Sequence, residues 1–140
     1  MEILVRKAQA KDAFRLAELN FLFNEVKVSV KSLIESLETN KSEHVFVALI
    51  DEELVGFATI DIHYSFCYEF PNAEITELYI IESGRGKGAA TKLVNEVINF
   101  SKSLGADEIH LRANSSNLAA NKFYNHIGLK LGNTNTYYSV

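Results

Sequence analysis

With 140 residues, 47% of them apolar and 23% charged, the chain has the length and composition of one globular domain able to bury a core unaided. A formal charge of -4 gives polyphosphate no general attraction, so nucleic acid is not an expected partner and a cationic one is easier to accommodate. Cys67 is the only cysteine, which excludes an intrachain disulfide framework and a multi-cysteine zinc site; with no secretion signal and no run of about 18 apolar residues, the expectation is a cytoplasmic protein with no membrane segment and no metal.

Residues 3–7 alternate as a short strand, and Asp12 stands where an N-cap belongs, ahead of Ala13, Leu16, Ala17 and Leu19 at helical spacing. A second helix is expected over 29–38, with Val30, Leu33, Ile34 and Leu37 on one side. Residues 44–50 and 54–65 are rich in β-branched and aromatic types and read as a hairpin turning at Asp51-Glu52-Glu53. Past Pro71, a third run over 73–81 completes an antiparallel meander. Ala90, Leu93, Val94, Val97, Ile98 and Leu104 then mark an amphipathic helix, with Gly105 placed to end it. Ile109, Leu111 and Ala113 alternate as a strand; Asn117 can cap a short helix bearing Ala120, Phe123, Tyr124 and Ile127, which Gly128 stops; and 129–140 reads as a closing hairpin. Strands and helices in this order give a mixed α/β sheet with helices on both faces.

The chemistry concentrates in Glu74-Ile75-Thr76-Glu77-Leu78-Tyr79-Ile80-Ile81-Glu82-Ser83-Gly84-Arg85-Gly86-Lys87-Gly88-Ala89-Ala90, a strand entering a glycine-rich turn that opens a helix. Glycines let backbone approach a ligand closely, and the first helical turn offers unpaired N–H donors at the positive end of its dipole, as phosphate binding requires. A P-loop is excluded, because Gly86-Lys87 is followed by Gly88 and Ile81 occupies the first glycine position. Gly84, Gly86 and Ala89 fit the dinucleotide fingerprint by letter, but a β-meander precedes them where a first βαβ strand should, which weakens that reading.

Arg85, Gly88 and Ala90 resemble the coenzyme A motif of GCN5-related N-acetyltransferases, Gln/Arg-x-x-Gly-x-Gly/Ala, at every specified position. A second element, Asn117, Ala120, Phe123-Tyr124 and Gly128-Leu129, is similar to the family's C-terminal signature and lies in the family's order. Three departures stand out: Leu129 replaces the usual Phe, Gly84 stands where a sizeable residue is common, and Glu82 where a proline is frequent.

The resemblance implies the fold of that family, a mixed, mostly antiparallel sheet of about six to seven strands, and transfer of an acetyl group from acetyl-coenzyme A to a primary amine by direct attack on the thioester. It places the pantetheine arm along the backbone of Leu78, Tyr79 and Ile80, the pyrophosphate on the backbone of Arg85, Gly86, Lys87, Gly88, Ala89 and Ala90, and a pantetheine contact at Asn117, which otherwise is only a helix cap. It makes Tyr124 the donor to the departing thiolate, against simple packing beside Phe123. Glu77 is the matching base candidate, against a solvated surface carboxylate, since an alkyl ammonium must lose its proton before it can attack. A homodimer follows only by analogy.

The acceptor is expected to be a small-molecule or peptide amine, cationic because Asp61, Glu69, Glu74 and Glu77 lie near one another in the predicted strands and loop. The aromatic segment 64–71 either borders the acceptor pocket or a partner surface, or is buried under the first two helices. None of His44, His63, His110 and His126 is followed four residues on by Asp, so the His-x-x-x-Asp acyltransferase pattern is absent. The reading from a different class is a non-catalytic acyl-coenzyme A-binding or protein-interaction module on the same fold.

Overall fold

A computed structural model of the protein describes residues 1–113, 116–130, 132 and 138–140. Its sheet has the order β1-β2-β3-β4-β5, formed by Ile3–Lys7, Glu43–Ile50, Glu53–His63, Asn72–Ile80 and Glu108–Leu111. β1 to β4 pair antiparallel, and β5 joins β4 parallel. Five strands among the described residues are fewer than the six to seven expected. Residues 131 and 133–137, half of the closing hairpin expected over 129–140, lie outside the described residues.

Two clusters of buried side chains sandwich the sheet. On one face α3 (Ala89–Ser103) sets Ala89, Leu93, Val94 and Val97 against Phe46, Ala48, Ala58, Ile60 and Ile75, and Phe123 and Ile127 of α4 (Leu118–His126) join them. On the other, Leu16 and Leu19 of α1 (Ala13–Asn24) and Leu33 and Leu37 of α2 (Val30–Thr39) cover Val47, Leu54 and Phe57. The expected arrangement of helices on both faces is therefore present.

Local chemistry sets the boundaries. The Ser29 side chain caps α2 by accepting from the Ser32 amide at 3.1 Å. The β2–β3 hairpin turns on Asp51 and Glu52, with φ of 47° and 71°, both left-handed as a two-residue turn between right-twisted strands demands. At the C-terminus of α3, Gly105 takes φ of 89°; its amide bonds the Lys102 carbonyl and the Ala106 amide bonds the Ser101 carbonyl, the paired bonds of a Schellman motif. Asp12 departs from expectation. It precedes α1 but makes no cap bond to it; its carboxylate accepts from the Gln9 amide at 2.7 Å and takes both Arg6 guanidinium branches at 2.7 and 2.9 Å. Burial alone would raise that carboxyl's pKa, but the Arg6 and Gln9 bonds prevail and hold it below the usual carboxylate value.

One close approach fixes the spacing of β3 and β4. A Cβ built on Gly56 would lie 2.5 Å from the Tyr79 carbonyl oxygen, 3.2 Å from the Ile80 Cα, and against the Ile80 side chain. Gly56→Ala is accordingly expected to force the two strands apart and cost about 1–3 kcal/mol, the usual penalty of overpacking. A lowered midpoint in chemical denaturation checks this; an unchanged midpoint would show that β4 can yield without cost.

Candidate functional site

The site begins with a bulge. Thr59 pairs with Glu77 and Ile60 with Ile75, so Thr76 is an extra residue on β4, and its hydroxyl lies 2.5 Å from that of Thr59. Parallel pairing of β4 with β5 runs from Asn72 and Glu108 only as far as Ile75 and Leu111, whereas β4 continues to Ile80. The kinked strand leaves β5 at the bulge, and among the described residues none pairs with its last five on that side.

Backbone alternation says which groups line the opening. The Ile81 amide bonds the Val55 carbonyl at 2.8 Å, so in the same register Tyr79 turns its amide and carbonyl toward Phe57 of β3. Leu78 and Ile80 therefore face the open side. The Ile80 carbonyl accepts from Arg85 Nε at 2.9 Å, which leaves the Leu78 amide and carbonyl and the Ile80 amide to pair with an amide-bearing chain.

Beyond β4 the chain turns sharply into α3. The Gly84 amide donates to the Ile81 carbonyl and the Arg85 amide to the Glu82 carbonyl. Gly84 is buried, and a Cβ there would meet Val55 and Ile80 side-chain atoms at 3.1–3.3 Å. The position where the family commonly carries a larger residue is thus closed here by its own packing. Gly86 and Gly88 take φ of 74° and 90°, with nothing within 4 Å of a Cβ on either. Gly88 is the N-cap of α3 and supplies no capping side chain, so among the described residues nothing caps the Ala89 and Ala90 amides at the positive end of a 15-residue helix. Arg85 and Lys87 are exposed beside them. Open space, free N–H groups and positive charge together fit a pyrophosphate. The Arg85 amide is engaged by the Glu82 carbonyl, and its guanidinium lies 5.9 Å from the centre of the Tyr79 ring.

The bulge also decides which side chains meet. Simple alternation would put Ile75, Glu77 and Tyr79 on one face. Instead Ile75 enters the α3 core, while Glu77 and Tyr79 share the α1/α2 face. There Tyr79 stacks on Phe23 of α1 at 4.9 Å and meets Phe57 at 6.3 Å, an aromatic wall beside Glu77. Glu77 is half-buried; burial, and second the charge of Glu43, push its carboxyl above the ordinary value. Glu43 is itself raised by burial and by Asp61. Phe23 and Glu43 were not singled out from sequence; α1 lays the first on Tyr79, and the strand register brings the second to this face.

On α4, Asn117 Oδ1 accepts from the Ala120 amide at 3.1 Å, so the cap is real and occupies the oxygen, leaving Nδ2 as a separate donor. Tyr124 is half-buried, and burial raises its hydroxyl's pKa, which keeps it protonated. Phe123 and Ile127 join the core beneath α3 while Tyr124 does not, touching Phe123 edge to face at 5.6 Å. The segment between β3 and β4 is not buried under the helices: Tyr64, Phe66, Tyr68, Phe70 and Cys67 are exposed. His63 is exposed at the end of β3, and His110 lies 3.2 Å from Glu108 on the surface. Among the described residues no helix is long and apolar enough to cross a membrane.

The pattern of the Acetyltransferase (GNAT) family matches residues 10–129. An uncharacterised N-acetyltransferase from Archaeoglobus fulgidus is 29% identical over 99 residues, 70% of this chain and 67% of that protein. The chain spans 60% of the length of its mycobacterial relatives. Among solved structures, AAC(6')-Iy bound to a bisubstrate analogue, CoA-S-monomethyl-acetylneamine, superposes with a TM-score of 0.88 at 17% identity, covering 100% of this chain and 99% of that one. A ribosomal-protein-alanine N-acetyltransferase from Brucella melitensis biovar Abortus 2308 gives 0.85 at 16% identity over the same shares. At such identities these likenesses establish the fold.

Proposed function

The chain belongs to the acetyltransferase (GNAT) family, and from that premise we propose that it transfers an acetyl group from acetyl-coenzyme A to the primary amine of a cationic small-molecule or peptide acceptor. The observation that carries the reading is the open β4 edge leading directly into the uncapped N-terminus of α3. An amide-bearing arm can add to that edge as an extra strand would, and the helix terminus receives its pyrophosphate. The thioester, when bound, supplies an activated acyl carbon.

The residues divide the work. Leu78 and Ile80 hold the arm in register, and Gly86, Lys87, Gly88, Ala89 and Ala90 hold the phosphates. Asn117 contributes Nδ2 while its oxygen caps α4. Glu77 accepts the proton of the acceptor's ammonium, directly or through water; a half-buried carboxyl of raised pKa is a stronger base than an exposed one. Tyr124 returns a proton to the departing sulfur. The aromatic wall of Phe23 and Tyr79 and the acidic floor beside it favour a positively charged acceptor.

An acceptor screen with acetyl-coenzyme A and mass detection of the product tests the activity; binding of the coenzyme with no thiol release across the panel would turn the reading to a non-catalytic acyl-coenzyme A-binding module. The assignment of the base has its own test. Glu77→Gln is expected to abolish the acidic limb of the pH profile and move activity to higher pH, where free neutral amine replaces the base, with about 100-fold or greater loss at neutral pH. An unchanged profile would make Glu77 a bystander.

A further inference from the structure

We propose that Glu43, on β2, is a positioning residue that makes Glu77 a stronger proton acceptor by presenting a second carboxylate to it across β3. The inference rests on the reading of Glu77 as the base. β2 and β3 set Glu43 directly opposite Asp61; β3 and β4 set Asp61 opposite Glu74 and Thr59 opposite Glu77. All four carboxylates share the α1/α2 face. Like charges placed opposite one another on neighbouring strands destabilise a sheet, so a row of them is a cost that folding alone does not explain.

Only one of the four is neutralised by an ion pair among the described residues. Glu74 meets Arg112 at 2.8 Å, whereas the other ion pairs, Arg6 with Asp12, Arg15 with Glu18 and Glu53, and His110 with Glu108, involve none of the remaining three. Glu43 and Glu77 stand two strands apart and two residues out of register, about 12 Å between backbones, with only the short Thr59 and Asp61 side chains on the strand between them. The charge of Glu43 is felt at Glu77, after burial, as a rise in its proton affinity.

The other groups around this face do not offset that charge. α2 contributes Ser36, Leu37 and Asn40 to the hollow beside Glu43, all uncharged, and α1 contributes Phe23 beside Tyr79. Lys7 of β1 borders the same hollow, but its ammonium sits 4.3 Å from the centre of the Phe100 ring on the α3 side. His44 also turns to Phe100, at 4.8 Å; burial, and next Lys7, hold its imidazole below the ordinary value against the opposing pull of Asp61, so it adds little positive charge at neutral pH.

The first test needs no acceptor. Carbon-detected NMR follows the side-chain carboxyls against pH in the full chain, with the Glu77 signal assigned by its loss in Glu77→Gln. In Glu43→Gln, which keeps shape and removes charge, the Glu77 titration is expected to shift to lower pH, and Glu43→Asp is expected to restore most of the difference. The second test follows thiol release from acetyl-coenzyme A with the most active amine of the screen, and the acidic limb of kcat/KM should shift in the same direction. A Glu77 titration in Glu43→Gln identical to that of the unsubstituted protein would overturn the inference while leaving the base intact. An acidic limb that survives in Glu77→Gln would overturn both.

Folding provides the control, with its sign fixed. A carboxyl raised in the folded state contributes stability present below its unfolded value and lost as pH rises through its folded value. Glu43→Gln should therefore melt at or above the unsubstituted protein at pH 7 and converge with it near pH 4.

Discussion

A chain carrying Gly88→Asp is expected to fold and to lose roughly 100-fold in affinity for acetyl-coenzyme A, the loss of about 3 kcal/mol of charge-assisted hydrogen bonding. Folding should survive because nothing lies within 4 Å of a Cβ at Gly88, and the left-handed φ of 90° costs a non-glycine residue only about 1–2 kcal/mol. Binding should not, for two reasons that act at one place. The new side chain enters the open space that the pyrophosphate requires, and its carboxylate offers the Ala89 and Ala90 amides a resident anion at the helix terminus. Gly88→Ala separates the causes, since it carries the backbone strain without the charge and should lose much less. Calorimetry with acetyl-coenzyme A reads all three proteins; a folded Gly88→Asp chain of undiminished affinity would mean that the phosphates lie elsewhere.

How far such a site is legible in sequence depends on how local its determinants are. The turn and the helix it opens were readable because glycine at positive φ, helical spacing and a missing cap are properties of consecutive residues, and the structure places each where the sequence puts it. The Asn117 cap and the Gly128 stop are local in the same sense. The face on which Glu77 lies was not readable. One extra residue at Thr76 changes it, and a bulge is defined only against the register of β3, some 17 residues earlier in the chain.

The same distinction explains the remaining differences. Asp12 has the sequence position of a cap, but Arg6, brought alongside it, competes for the carboxylate with two short charged bonds and wins. Gly84 stands where a sizeable residue is common, yet Val55 and Ile80 would have to give by a few tenths of an ångström to admit even a Cβ there. Glu43 falls just outside the strand expected over 44–50, yet β2 begins with it and β3 opposes it to Asp61, and Phe23 is a helix aromatic until α1 lays it on Tyr79. Family resemblance points to candidate residues along β4 and α4; the tertiary register decides the surroundings in which they lie.

Tyr124→Phe is expected to lower kcat about 100-fold or more with little change in acetyl-coenzyme A affinity, because it removes a proton donor and leaves the ring in place. Packing should be preserved: Phe123 and Ile127, not Tyr124, anchor α4 to the core, and the ring's contact with Phe123 at 5.6 Å does not involve the hydroxyl. The half-buried hydroxyl keeps its proton at neutral pH, which is the state a donor to a departing thiolate must occupy. A thiolate carries its charge only as the carbon–sulfur bond breaks, so a bond from Tyr124 strengthens in the transition state and appears in kcat rather than in binding. The variant also isolates the donor from the base. With Glu77 as the proposed base, the acidic limb should stay where it is while the whole profile falls, whereas Glu77→Gln should erase the limb. Thiol release at the unsubstituted rate from a folded Tyr124→Phe chain would remove the tyrosine from the reaction and leave water as the proton source for the sulfur.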